Sequence, residues 1–300
     1  MIDAIGWVFW NLGHALWSLV WAITHPAAWL DWTNPEAVFR VVYYGGSTEF
    51  FFVVFLIFLG ITIAGIFFRG FLWGVVRALE GFSNGLGRIA AWAGLIMVLQ
   101  QVVIIFMQRI FAVTNLGFGL GATSTHEISW WAEELKFYNA IVVALCVSYT
   151  FVQKGHVRVD LVYSPLSFRG KRMVDMLGSL FFMMPFAVLT WMYSWYFMWR
   201  HLITPKVSAS DTLDRMMAKA AAFRWNVETI SFSPNGFSAY FLFKILMVAF
   251  CGLVFLQAAT FFWRSWLEWR EGPESEDRYL DLDTLEPAEE SERGARSLEV

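Results

Sequence analysis

Long apolar runs alternate with short polar ones along this chain, and the spacing inside each run separates membrane spans from surface helices. Residues 50–68 hold no charge over a length that fits a bilayer core, which takes about 20 helical residues. Residues 5–23 are also apolar and rich in tryptophan (Trp7, Trp10, Trp17, Trp21), but Asn11, Gly13 and His14 interrupt them. Their length permits a span, while the indoles equally suit a helix lying at the headgroup boundary, and both readings stand. In residues 71–86, Leu72, Val75, Val76 and Leu79 fall at i, i+3, i+4 and i+7, with Arg77 and Glu80 on the other side. That period predicts a short amphipathic helix on the membrane surface.

Residues 89–110 predict a further span containing Gln100, Gln101 and Gln108, three carboxamides that should face protein because lipid offers them no partner. The next span begins at Ser129 as N-cap, with Glu133 and Glu134 in the first turn where the helix dipole favours anions, and ends near Val152. Residues 173–199 span again, with a kink expected at Pro185 and an aromatic belt at the far end. Residues 239–263 form the last span, which carries Lys244 near its start and Gln257 deeper. Between these two spans Leu213, Met216, Met217, Ala220 and Phe223 share one helical face while Asp211 and Arg215 pair at i+4 on another, predicting a second amphipathic helix. The fold class is therefore an all-α integral membrane protein with about six transmembrane helices plus interfacial amphipathic helices. Three parts follow: an N-terminal extension over residues 1–88, a four-helix region over 89–270, and an acidic, proline-bearing tail over 271–300 with few aromatics, expected to be disordered.

Composition agrees with this pattern. Of 300 residues, 58% are hydrophobic, mean hydropathy is +0.52, and there are 30 Phe and 17 Trp, too apolar a balance for a soluble domain. Cys146 and Cys251 lie in apolar runs, where a thiol behaves as a small hydrophobe, and imply no disulfide. The first ten residues hold an acid and no Lys or Arg, so they lack the basic region of a cleaved leader and the first helix is expected to be retained.

Charge sets the orientation. Lys154, Arg158, Arg169, Lys171 and Arg172 crowd the short loop between two spans, and Arg69, Arg77 and Arg88 lie in the segment of the surface helix before residue 89. Positive charge beside helix ends resists translocation, so these segments and both chain ends are expected in the cytoplasm. The loop with Arg200, Lys206, Arg215, Lys219 and Arg224 then lies outside, against the rule.

Several chemistries are set aside. A haem subunit needs histidine pairs on facing spans, but His126, His156 and His201 fall in loops or at span ends, leaving His14 and His25. Neither a nucleotide-binding loop, a nucleophile elbow nor zinc spacing is present, so neither an enzyme nor a cofactor site is expected, and nucleic acid is not an expected partner.

One set of motifs does point to a family. WWAEEL at residues 130–135, a span, GHVRVD at residues 155–160, a span opening on MVDMLG, and a lysine-bearing last span with Leu256 and Gln257 resemble the small membrane subunit of TRAP transporters, the DctQ-like small permease. The resemblance covers roughly residues 89–269, and the earlier helices correspond to those of larger variants. It implies a scaffold subunit in the bacterial inner membrane, joined to a large membrane subunit that moves an organic acid with sodium after a periplasmic binding protein has captured it. The alternative is a structural or assembly subunit of another membrane complex on the same helical scaffold.

The candidate contact residues follow from these motifs. Glu133 and Glu134 are either helix-start anions or contacts to the binding protein. Gly155 either ends a helix, with His156 and Arg158 meeting lipid phosphates, or belongs with them to a loop that contacts a partner, and Asp160 can pair with Arg158 or Arg172. Lys244 either snorkels to the headgroups or touches protein or lipid. Arg215 and Lys219 offer the outer face positive charge for an acidic partner.

Overall fold

The computed structural model describes residues 2–118, 124–155, 163 and 165–283. It is nearly all-α, and five of its helices are long and apolar enough to cross a membrane. These are α4 (Thr48–Phe67), α5 (Arg69–Arg109), α6 (Ile128–Val152), α7 (Phe168–Trp199) and α9 (Tyr240–Glu271). Such a set is compatible with a multi-pass membrane protein. The remaining helices are α1 (Ile2–Thr24), α2 (Ala27–Leu30), α3 (Pro35–Tyr44) and α8 (Leu213–Ala220). Two small antiparallel pairs, β1 (Asn115–Phe118) with β2 (Ser124–Glu127) and β3 (Ile203–Thr204) with β4 (Arg224–Trp225), fasten the loops at one end.

Helix α9 is the axis of the assembly and touches α5, α6 and α7. Its most apolar window is 44% buried, against 17% in α4, α5 and α6, so the other spans present most of their apolar surface outward. An apolar surface of that extent is what a helix shows to lipid. Helix α1 is not among the five; it packs on α4, with Trp7 edge-on to Phe52, and leaves Trp10 and Trp17 exposed.

The sequence reading split residues 71–110 into a surface helix and a span, but α5 runs unbroken for 41 residues. At about 1.5 Å per residue it measures about 60 Å, twice the hydrocarbon core, so only about half of it fits within such a layer. Gly81, Gly85 and Gly87 weaken this stretch by about 1 kcal/mol each in propensity. Gly87 offsets its share by admitting Tyr149 of α6, whose ring and Cβ occupy the space a side chain would need. The predicted polar side of the surface helix is also corrected: Glu80 is buried together with Leu72, Trp73 and Val76.

Other boundaries move for local reasons. Helix α6 begins at Ile128 after Glu127, so Ser129 is not its N-cap and Glu133 and Glu134 lie beyond its first turn. Its far end closes on a Schellman motif: the Lys154 N–H donates to Phe151 O and the Gly155 N–H to Thr150 O. Lys154, with φ 57°, takes the left-handed position that would suit a glycine, and Gly155 follows it. Helix α7 starts at Phe168 on a Ser167 cap and so includes Arg169, Lys171 and Arg172; its π-helical turn, Ser179–Met183, stands just before Pro185, which cannot donate to that turn. Helix α9 continues eight residues past the predicted end and carries Arg264 and Glu268 inward.

Candidate functional site

Two ends of the helix bundle concentrate the polar chemistry, and they are built differently. The charged end gathers α5 up to residue 88, the last turns of α6, the start of α7 and the last turns of α9. Arg264 lies at its centre, 7% exposed, and grips Glu80 of α5 with both forks: Nε to Oε1 and Nη2 to Oε2, each 2.5 Å. A parallel fork of this kind is the strongest geometry available to a carboxylate. The Arg264 Nη1 also donates to Glu268 Oε1 at 3.3 Å and to the Arg278 carbonyl at 3.2 Å, and the guanidinium stands 5.4 Å from the Trp73 ring centre.

Glu268 extends the network to α7. Its Oε2 is 2.8 Å from Arg172 Nε without the alignment of a hydrogen bond, so this contact is Coulombic. The Arg172 Nη2 donates to Glu276 at 2.7 Å and its Nη1 to Asp175 at 3.4 Å, while Tyr163 donates its hydroxyl to Asp175 at 2.9 Å. Three buried carboxylates and two buried guanidiniums thus tie α5, α7 and α9 together. Buried ions are tolerated only in such mutual arrangements, since each alone loses several kcal/mol of hydration.

Beyond α9 the chain turns back over this end. The expectation that everything after Arg270 lacks order does not hold for residues 272–283, because their carboxylates find cations. Asp277 meets Lys154 at 2.5 Å, and Asp283 meets Arg88 at 2.6 Å; Asp281 lies 2.9 Å from Arg88 and also accepts from Asn84. Tyr149 adds its hydroxyl to Asp283 at 2.8 Å, and the Arg88 and Tyr149 hydrogen bonds hold that carboxyl below the usual carboxylate range. Arg77 and Arg278 both stand over the Tyr279 ring. The rest of the tail, residues 284–300, lies outside the described residues.

The opposite, aromatic end is closed by rings. Helix α3 stops on two glycines, leaving its last carbonyls without helical donors. Helix α7 supplies them: Trp195 Nε1 donates to Val42 O at 2.9 Å, Tyr196 Oη to Tyr43 O at 3.1 Å, and Trp191 Nε1 to Gly45 O at 2.7 Å. A Cβ on Gly45 would overlap the Trp195 indole, and one on Gly46 the Tyr196 ring, so the glycines are what lets the rings reach the backbone. The predicted amphipathic helix appears here as α8, with Met216 and Ala220 buried and Met217 and Phe223 packed beside them against α3.

The candidate contact residues from sequence separate into three groups. Glu133 is buried rather than displayed: its Oε2 accepts the Phe237 N–H at 2.9 Å, and Gly236 is small because that carboxylate fills the space beside it. Glu134 accepts from Gln100 Nε2 at 3.0 Å and from Tyr138 Oη at 3.1 Å, joining α5 to α6. Lys219 is held internally, 2.5 Å from Asp211 and 3.0 Å from the Lys206 carbonyl. Burial pushes the Asp211 carboxyl up, but the Lys219 and Ser208 hydrogen bonds outweigh it and leave it below the usual range. The expected Asp211–Arg215 pairing within one helix is therefore replaced, since α8 starts at Leu213 and leaves Asp211 before its Thr212 cap. Arg215 remains exposed.

Lys244 is 5% exposed and sits between two rings, its ammonium 4.8 Å from the Phe197 centre and 4.7 Å from the Tyr240 centre. It is a buried cation–π contact rather than a snorkelling side chain. Gly155 belongs to the helix end already described, and His156, Arg158 and Asp160 lie outside the described residues. Among the described residues no group of acids, histidines and cysteines converges to hold a metal ion.

Sequence reasoning missed Asp175, Arg264 and Glu268, put Glu80 on the polar side of a surface helix and offered Arg172 only Asp160 as a partner. A signal existed: Arg264 and Glu268 are four apart on an apolar helix, and Glu80 continues the Leu72–Val76 stripe at i+4. No family model, curated protein or solved structure matches the chain.

Proposed function

We propose that this chain is the small scaffold subunit of a TRAP-type secondary transporter, working with a large membrane subunit and a soluble binding protein to take up an organic acid with sodium. The motifs at residues 130–135 and 155–160 suggest the family, and the buried ion network supports the scaffold role. A scaffold must hold its helices at fixed spacing, and Arg264 and Arg172 between them join three long helices through side chains that are costly to separate. The charged end faces the cytoplasm in this reading, since Arg69, Arg77, Arg88, Lys154, Arg169, Lys171 and Arg172 cluster there. The aromatic end, with α8 and the exposed Arg215, then faces the binding protein.

The test is purification and transport. The tagged chain, extracted in a mild detergent, should bring a larger multi-pass protein in fixed stoichiometry. The reconstituted pair plus a soluble binding protein should accumulate an organic acid only with an inward sodium gradient. Recovery in a stable complex without a transport protein would replace this reading with an assembly role elsewhere. Orientation is checked separately: a cysteine at Ser208→Cys should label from outside and one at Ser167→Cys only from inside, both positions being exposed.

A further inference from the structure

The surface of the α5–α6 pair carries polar groups where a lipid-facing surface should have none. Gln100 is accounted for by Trp131 O and Glu134, but Gln101 and Gln108, also expected to face protein, are exposed on this chain. They are seven residues apart and so lie on one stripe of α5. Asn139 is likewise exposed on α6, between Lys136 and Val143 on that helix's outer stripe.

These carboxamides share one face. Contacts of Gly87 with Tyr149, Gly94 with Val142 and Gln100 with Glu134 set the antiparallel register of the two helices. At about 100° of rotation per residue, Gln101 and Asn139 point to the same side of the pair, away from Phe137, which meets Phe243 of α9. The register separates them by about five residues, or roughly 8 Å along the axis. Asn139 is near the middle of α6, and Gln101 lies eight residues inside the end of α5, so both stand at hydrocarbon depth. A carboxamide there carries two donors and an acceptor that acyl chains cannot satisfy.

We propose that this face is the seam on which a transmembrane helix of a second, different membrane protein packs, presenting polar side chains to Gln101 and Asn139. Under the transporter reading that protein is the large membrane subunit, and in this respect the inference rests on that reading. Interhelical hydrogen bonds from Ser, Thr, Asn or Gln are the recognised adhesive between helices in lipid, where apolar contact alone gives no preference for protein. Ile105 and Val143, exposed on the same seam, supply apolar packing around the amides.

The experiment places a photo-crosslinking residue at Gln101 or Asn139, with Phe182 and Tyr193 on exposed α7 as controls, and irradiates intact membranes. Expected is a covalent adduct from both seam positions with the same multi-pass protein that co-purifies stoichiometrically with the unaltered chain. Gln101→Leu and Asn139→Leu, which keep the helices apolar and inserted, should each lower recovery of that protein about threefold, and roughly tenfold together. A dimer of this chain formed from the seam positions would overturn the proposal in favour of a second copy. Adducts with lipid alone at the seam, together with partner adducts from α7, would overturn the seam and leave the scaffold reading standing. Protein adducts from none of the four positions, with no co-purifying protein, would remove both.

Discussion

The two ends of this bundle solve one problem by opposite means. Each must close the ends of several helices where apolar and aqueous surroundings meet. At the charged end the closure is ionic: Arg264 and Arg172 take carboxylates from three helices and one return segment. At the aromatic end it is made by neutral donors, since Trp191, Trp195 and Tyr196 satisfy the last carbonyls of α3 while their rings fill the core. The difference teaches where each device fails. A ring that loses its carbonyl forfeits one hydrogen bond of about 1 kcal/mol, whereas a buried carboxylate that loses its cation keeps the whole cost of desolvation.

The largest effect should therefore come from Arg264→Leu. It strands Glu80 and removes one of the two cations facing Glu268, both carboxylates being buried. Breaking such a pair costs about 3–5 kcal/mol, to be read as a fall in the thermal unfolding midpoint in detergent. The double change Glu80→Leu with Arg264→Leu should recover part of this loss, because Glu268 keeps Arg172 and no orphan remains at position 80. If the double change is no better than the single one, packing of the Arg264 side chain rather than its charge is what matters there.

Trp195→Ala comes next, at about 2–4 kcal/mol, from the cavity left by a half-buried indole and the exposed Val42 carbonyl. Unlike the arginine loss, this one should be nearly the same in 50 mM and 500 mM salt, because nothing charged is involved.

These two ends were not equally legible in the sequence. The long apolar helices and the face of α8 could be read because apolar pattern survives into structure: Met216 and Ala220 are buried where the stripe put them. The unbroken course of α5 was hidden by the low helix propensity of Gly81, Gly85 and Gly87; of the three, Gly87 alone is packed against, by Tyr149 of α6. The ion network was hidden for a similar reason. Glu80 and Arg264 stand 184 residues apart, and each alone looks like a solvated charge at a span end. Order in residues 272–283 was equally invisible, since composition reports an acidic stretch but not the cations waiting for it. The aromatic belt was read as a headgroup feature, and the two glycines after α3, which admit its rings, gave the missing clue.

Gly45→Ala sharpens the comparison at the aromatic end. The backbone there, φ −65°, accepts any residue, so the cost is purely the overlap of a new Cβ with the Trp195 ring. About 1–3 kcal/mol is expected for a forced shift of that kind, with weaker protection from exchange at the Trp191 and Trp195 indole N–H groups. A neutral result would mean that the indoles move aside freely and do not clamp α3.

The smallest effect in energy is the most diagnostic of the charged end, and concerns residues 272–283. Their contacts to Arg88 and Lys154 are exposed, with side chains 40–59% accessible, and exposed pairs contribute little and weaken with salt. The Debye length falls from about 10 Å at 0.1 M to about 3 Å at 1 M. Backbone hydrogen exchange of residues 276–283 should therefore rise over that range, together with that of the α6 end at Lys154, while the loop around Asp211 should change less because that carboxylate is only 10% accessible. Acid will not separate the ends in this way. Asp283 and Asp211 both titrate below the ordinary 3.8 in the folded chain, so each contributes in full above about 3.8 and loses its contribution as pH falls through the lower folded value. Protection at both sites should stay flat from pH 8 to pH 5 and decline only below about pH 4. Deleting residues 272–300 should reproduce the high-salt exchange at Lys154 without loosening the Arg264–Glu80 pair, since both residues lie on helices, α5 and α9, that are complete by Glu271. A truncated chain in which α5 and α9 also open would show that the return segment, and not the buried network, closes the charged end.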